Sequence, residues 1–196
     1  MSVSSEIEDF LTRKENLKVA LEVADYVEEM KRQTHRDFWD ALNHELALRV
    51  ESELPGRWVY TPFNLRRLRN DWETTYFKMV IPKKDPAPQL LHFGLGQDSR
   101  VANFRLYCGV YRHPSVKAIT TTLRGLLVSI NLANISNDWV GWGHLPITPF
   151  TEEFINSVYN HRDEFIQASA QLIWEKFTRL LPEIEAVNQQ LLQEQA

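Results

Sequence analysis

Phe104-Arg105-Leu106-Tyr107-Cys108-Gly109-Val110-Tyr111-Arg112 is the stretch on which the reading of this chain turns. Phe104, Leu106, Cys108 and Val110 alternate with Arg105, Tyr107, Gly109 and Tyr111. That is the two-residue period of a strand, with one face in a core and the other presenting Arg and Tyr. Upstream, Trp58-Val59-Tyr60, Tyr76-Phe77-Lys78-Met79-Val80-Ile81 and Leu90-Leu91-His92-Phe93-Gly94-Leu95 are short, aromatic or β-branched, and bounded by Pro and Gly. These are predicted strands as well. Pro82-Lys83-Lys84-Asp85-Pro86-Ala87-Pro88 is too rich in proline for a strand and reads as a loop. Downstream, Asn137 to His144 reads as a loop or a short edge strand.

On both sides of this group the period becomes helical. Val3, Ile7, Phe10, Leu17, Leu21 and Ala24 form an apolar stripe on an acidic surface, and neither Gly nor Pro occurs before Pro55. Thr34 is the expected N-cap of a second helix carrying Phe38, Leu42, Leu46 and Val50. Pro114 is expected to open another helix, with a stripe at Val116, Ile119, Leu123, Leu127 and Ile130. A last long helix is predicted after Pro149, capped by Thr151 and continued by Phe154, Val158, Phe165, Ala168, Leu172 and Phe177. Pro182 is expected to kink it or start a new helix, and the tail from Asn188 to fray.

Strands grouped together rather than alternating with helices indicate an α+β fold. The expectation is a small, mostly antiparallel sheet packed against long N- and C-terminal helices. No break in composition divides the chain, so residues 1–196 form one domain: a helical arm (1–54), a basic sheet region (55–113) and a helical region (114–196). The chain is long enough to bury a sizeable core, and its 43% hydrophobic and 24% charged residues are ordinary globular values. Cys108 is the single cysteine, so an intramolecular disulfide is excluded, and its apolar surroundings make it a small core residue. With no signal peptide visible at the start and no run of about 20 apolar residues, the expected location is cytoplasmic, with no membrane partner.

Charge is distributed unevenly. Residues 1–54 carry seven Lys/Arg against thirteen Asp/Glu, residues 55–124 twelve against four, and residues 125–196 three against nine. The net charge of -4 thus conceals two acidic arms around a basic middle, in which eight of the twelve cations are arginines. Arginine's planar fork suits phosphate or carboxylate, which makes this region a candidate for a polyanion. The alternative is that acidic helices neutralise a basic sheet internally. Arg66-Arg67-Leu68-Arg69, near Trp58, Tyr60, Trp72 and Tyr76, combines guanidinium charge with aromatic surface as nucleic-acid contacts do. The candidate nucleic-acid-binding residues are Arg66, Arg67, Arg69, Lys83, Lys84, Arg105 and Tyr107. Asp138, Trp139 and Trp142 line a pocket or form a packed corner.

No catalytic motif emerges. The six histidines are scattered, none paired at i+3 or i+4, and one cysteine cannot build a zinc knuckle, so neither metal nor cofactor is expected. Gly94-Leu95-Gly96 lacks the third glycine of a dinucleotide fingerprint, Ser99 standing in its place, and is expected to be a turn or bulge. Glu29-Met30-Lys31 matches the Glu-x-Lys of metal-dependent nucleases, but in a helix residues two apart point to different faces.

Phe38-Trp39-x-x-Leu42, Leu106-Tyr107-x-Gly109-Val110-Tyr111, Asn137-Asp138-Trp139-x-x-Trp142 and the long helix from Phe154 through Trp174, in that order, resemble the C-terminal region that follows the nuclease domain in some bacterial PD-(D/E)XK-superfamily proteins. The resemblance covers most of the chain from Thr34 onward. The family's catalytic half would precede this region, so no catalytic residue carries over. What the resemblance implies is a non-enzymatic nucleic-acid-binding or accessory domain of a bacterial or phage nuclease-related or defence system. The alternative is a protein–protein interaction module, an inhibitor or assembly subunit, docking through its acidic helices.

Overall fold

The computed structural model describes residues 3–62, 74–80, 89–97, 105–113, 116 and 119–194. Five strands, β1 (Trp58–Thr61), β2 (Thr74–Met79), β3 (His92–Gln97), β4 (Leu106–Tyr111) and β5 (Trp139–His144), pair in chain order, every neighbour antiparallel. Helices α1 (Val3–Leu11) and α2 (Lys14–Glu53) precede the sheet, and α3 (Thr121–Ser129) lies between β4 and β5. Helices α4 (Glu152–Asn160) and α5 (Arg162–Glu194) close the chain. The α+β architecture with long helices at both ends is therefore as expected.

One sheet face holds the core. The register places Trp58, Tyr60, Phe77, Phe93, Leu95, Cys108 and Val110 on it, all buried. Helix α5 lies across this face. Its buried residues recur at three and four, from Ile166 through Ile173 and Phe177 to Leu191. The Phe177 ring lies 4.6 Å from Phe77, 5.1 Å from Trp58 and 5.4 Å from Phe93. The second half of α2 adds Phe38, Trp39, Leu42 and Leu46, each with no exposed surface. At β5 the same face is glycine. A Cβ at Gly141 would meet Leu127 of α3, and one at Gly143 would run into the Asn131 carbonyl oxygen, so α3 and its exit approach the sheet backbone directly.

Polar ties close the rim. Asn188 is fully buried and satisfies a backbone edge at the entry to β3, accepting from Leu91 N at 2.7 Å and donating to Leu91 O at 3.0 Å. Glu185 accepts from both Arg57 and the Trp58 indole at 2.6–2.8 Å. Trp39 Nε1 lies 3.0 Å and His35 Nε2 2.6 Å from Gln97 Oε1. Trp39 Nε1 also lies 3.1 Å from His35 Nε2, so the three groups form one closed polar cluster. Burial pulls the His35 pKa down to about 4, so the ring is neutral at pH 7.

Several local expectations are corrected. Thr34 caps no helix: α2 runs unbroken from Lys14, and the Thr34 hydroxyl bonds back to the Met30 carbonyl. The break comes earlier, at Thr12-Arg13. The helix expected from Pro114 begins at Thr121, where the Thr120 side chain accepts from Leu123 N, and Val116 and Ile119 lie outside it. Thr151 does cap α4, but a new helix starts at Arg162, and Pro182 lies inside α5. The tail does not fray at Asn188, because Asn188 and Leu191 are buried and the helix reaches Glu194. Gly94 and Gly96 sit within β3 and form neither turn nor bulge; the one register shift opposite β5 falls between Val110 and Tyr111. Phe104, Ile81 and the loop from Pro82 to Pro88 lie outside the described residues.

Candidate functional site

The register that buries Phe93 and Val110 turns the intervening residues to the opposite face. Across β3, β4 and β5 these are His92, Gly94 and Gly96, then Tyr107, Gly109 and Tyr111, then Trp139, Trp142 and His144. Lys78 of β2, opposite Val59 of β1, belongs to the same face. Glycines form its floor. A Cβ at Gly96 would lie 2.6 Å from the Tyr107 ring, which covers that backbone only because the position is glycine, and one at Gly109 would run into the Gly141 carbonyl oxygen and lie 2.7 Å from Trp142 Cβ.

The rings hold one another. Tyr107 meets Trp139 at 5.5 Å and Trp142 at 5.7 Å, both edge-on. Tyr111 meets Trp139 at 5.7 Å and Trp142 meets His144 at 5.3 Å in the same manner. Edge-to-face packing suits the ring quadrupole and fixes orientation. Tyr107, at the centre, is 5% exposed, while Tyr111, Trp139, Trp142, His144, His92 and Lys78 are half-buried. Tyr107 therefore braces the face rather than standing out from it, contrary to the simple alternation read from the sequence. The His92 pKa is lowered to about 4 by burial and by the neighbouring Lys78 charge, so this ring is neutral at pH 7.

Of the residues singled out from the sequence, Arg66, Arg67, Arg69, Lys83 and Lys84 lie outside the described residues. Arg105 is exposed immediately before β4. The connections from β1 to β2, which contains Arg66, Arg67 and Arg69, and from β3 to β4, which contains Arg100 and Arg105, join the sheet at the same end. Other cations of the basic middle have structural partners. Arg57 is paired with Glu185, and Arg112 donates to the carbonyls of Asn137 at 3.1 Å and Val116 at 3.4 Å. Part of the charge contrast along the chain is thus internal neutralisation.

The rejected chemistry is also placed. Burial pushes the Cys108 thiol up to about 12, which leaves no thiolate at pH 7. Glu29 and Lys31 lie on α2, where Arg36 and Arg32 engage Glu29 and Lys31 bonds Glu28. No group of three metal-ligating side chains occurs among the described residues. No described helix is long and apolar enough to cross a membrane.

Alternation in the sequence points to Tyr107 and Tyr111, and Trp139 and Trp142 stand out separately, with nothing local to join the two pairs. The signal was the phase of β5, and only the pairing of Tyr111 with Trp139 and Gly109 with Trp142 brings the two sets together. No protein-family model matches the chain, and no curated protein or solved structure gives a significant match.

Proposed function

We propose that this protein is a non-enzymatic nucleic-acid-binding module, an accessory to a nuclease-type system, and that it takes single-stranded nucleic acid on the aromatic face of its sheet. One observation carries the reading: half-buried Trp139, Trp142, Tyr111 and His144 form a braced row on a glycine floor, bordered by Lys78 and the exposed Arg105. Bases stack on such rings without regard to sequence, and Arg and Lys at the margin meet the phosphates. The His92 ring, neutral at pH 7, and the His144 ring add stacking surface, and Lys78 and Arg105 supply positive charge. The nuclease association rests on the sequence resemblance.

The test is titration of a fluorescent single-stranded oligonucleotide at two salt concentrations. Affinity should fall steeply with salt, and replacing Arg66, Arg67 and Arg69 together should flatten the slope by up to about three. Trp142→Ala should weaken binding by roughly 5- to 100-fold at either salt concentration, since one base loses its stacking partner. Absence of binding at low salt would retire the proposal. The second reading, docking to a protein through the acidic helices, is favoured by the apolar surface at the start of α2.

A further inference from the structure

Helix α2 is 40 residues long, and its buried residues begin only at Thr34. Ahead of that point Leu17, Val19, Leu21, Val23 and Tyr26 are 49–73% exposed, and α1 continues the surface with Ile7 and Phe10, both more than half exposed. At 100° per residue, Leu17, Leu21 and Ala24 make one stripe, Val19, Val23 and Tyr26 make a second, and Ala20 and Val27 bridge them. The polar residues Lys18, Glu22, Asp25 and Glu29 are confined to the remaining arc. Glu28 falls within the first stripe, and Ala20 and Val27 are half-buried, so the open apolar surface consists of the two stripes themselves. A single soluble helix does not present such a surface to water without a partner.

We infer that the partner is a second copy of this chain, its arm packed antiparallel against the first. The argument is the order of the charges. From the start of α2, Arg13, Lys14 and Lys18 come first, with Glu15 among them, and Glu22, Asp25, Glu28 and Glu29 follow, while α1 ahead of them carries Glu6, Glu8 and Asp9. Antiparallel pairing sets the basic start of one copy beside the acidic stretch of the other, whereas parallel pairing sets like against like. The Lys18–Glu22 ion pair within the helix spans 3.7 Å with side chains 85% and 65% exposed, so it does not withdraw these charges from a partner. Two stripes per arm are filled together if α2 of the partner covers one and α1 of the partner, with its own single stripe at Ile7 and Phe10, covers the other. The acidic polar arc gives an anionic lipid surface nothing to attract.

Sedimentation equilibrium on the full chain tests this. The expected mass is twice 23.0 kDa. Val23→Lys should raise the dissociation constant roughly 100-fold by placing charge in an apolar seam, while thermal unfolding of the monomer is unchanged because Val23 touches no core. Lys18→Glu and Asp25→Lys should each weaken the dimer, and the double variant should recover it. A 23.0 kDa species at all concentrations, including one that instead partitions onto vesicles or takes a different protein, overturns the inference. So does a dimer indifferent to Val23→Lys, or a double variant no better than the singles.

Discussion

The two faces of the sheet use aromatic residues in opposite ways. On the helix-covered face, Phe77 and Phe93 are wholly buried beneath Phe177 and Trp174. On the other face, Trp139, Trp142 and Tyr111 are half-buried, and their described ring contacts run to Tyr107, His144 and each other, all on strands. Rings under helices contribute apolar burial and stability. Rings braced edge-on by neighbouring strands stay half-buried, and this is the face on which the proposed binding would fall. The lesson is that aromatic content alone does not assign a residue to the core; the layer that covers it does.

The comparison breaks most sharply on truncation. Phe177→Ala should cost about 3–5 kcal/mol in denaturant unfolding, because four aromatic neighbours lose their common partner. A cost below that of an exposed substitution would mean that α5 does not organise this face. Asn188→Leu should cost about 2–4 kcal/mol, since the Leu91 N–H and C=O both lose a partner inside the core.

Acid provides a test with one reporter on each face. His35 on the helix side and His92 on the open side both have folded pKa values lowered to about 4. The unfolded chain binds these protons first, so stability is fully present above about pH 6.5 and is lost as pH falls towards 4. The loss should be on the order of 3 kcal/mol for His35, and less for His92, which keeps more contact with water. His35→Gln and His92→Gln should each flatten the unfolding free energy against pH; a profile unchanged by either would contradict the burial assigned to that ring. Smallest is Trp142→Ala, expected to cost about 1 kcal/mol or less in stability, the worth of an edge-to-face pair, while affecting binding far more. A large stability loss there would make this face a second core.

Legibility followed the range of the interaction. Thr151 as a cap and the strand centred on Cys108 are readable, because each is set by residues within a few positions, whereas the break at His161 that divides the expected last helix into α4 and α5 is not. Asn188 was misread as part of a fraying polar tail because its partner, Leu91, lies 97 residues away. Thr34 was misread as a cap because an isolated threonine does not reveal whether its hydroxyl turns forward to a free N–H or back to a carbonyl. At the candidate site, Arg105 and Tyr107 were named, but the row they border was not assembled.

By itself the sequence determined an α+β chain, strands gathered between helical arms, apolar stripes that require partners and a basic middle, since period and composition are local properties. Only the tertiary structure decided that Tyr107 is buried, that Arg57 is neutralised by Glu185, and that Trp139 and Trp142 join Tyr111 on one face. It also decided that the first half of α2 finds no cover while the second half is buried. The physical reason is that strand register and helix docking are settled by contacts far apart in the chain. A one-residue change of register exchanges the two faces of a strand, and nothing in the strand's own residues announces which face a helix will cover.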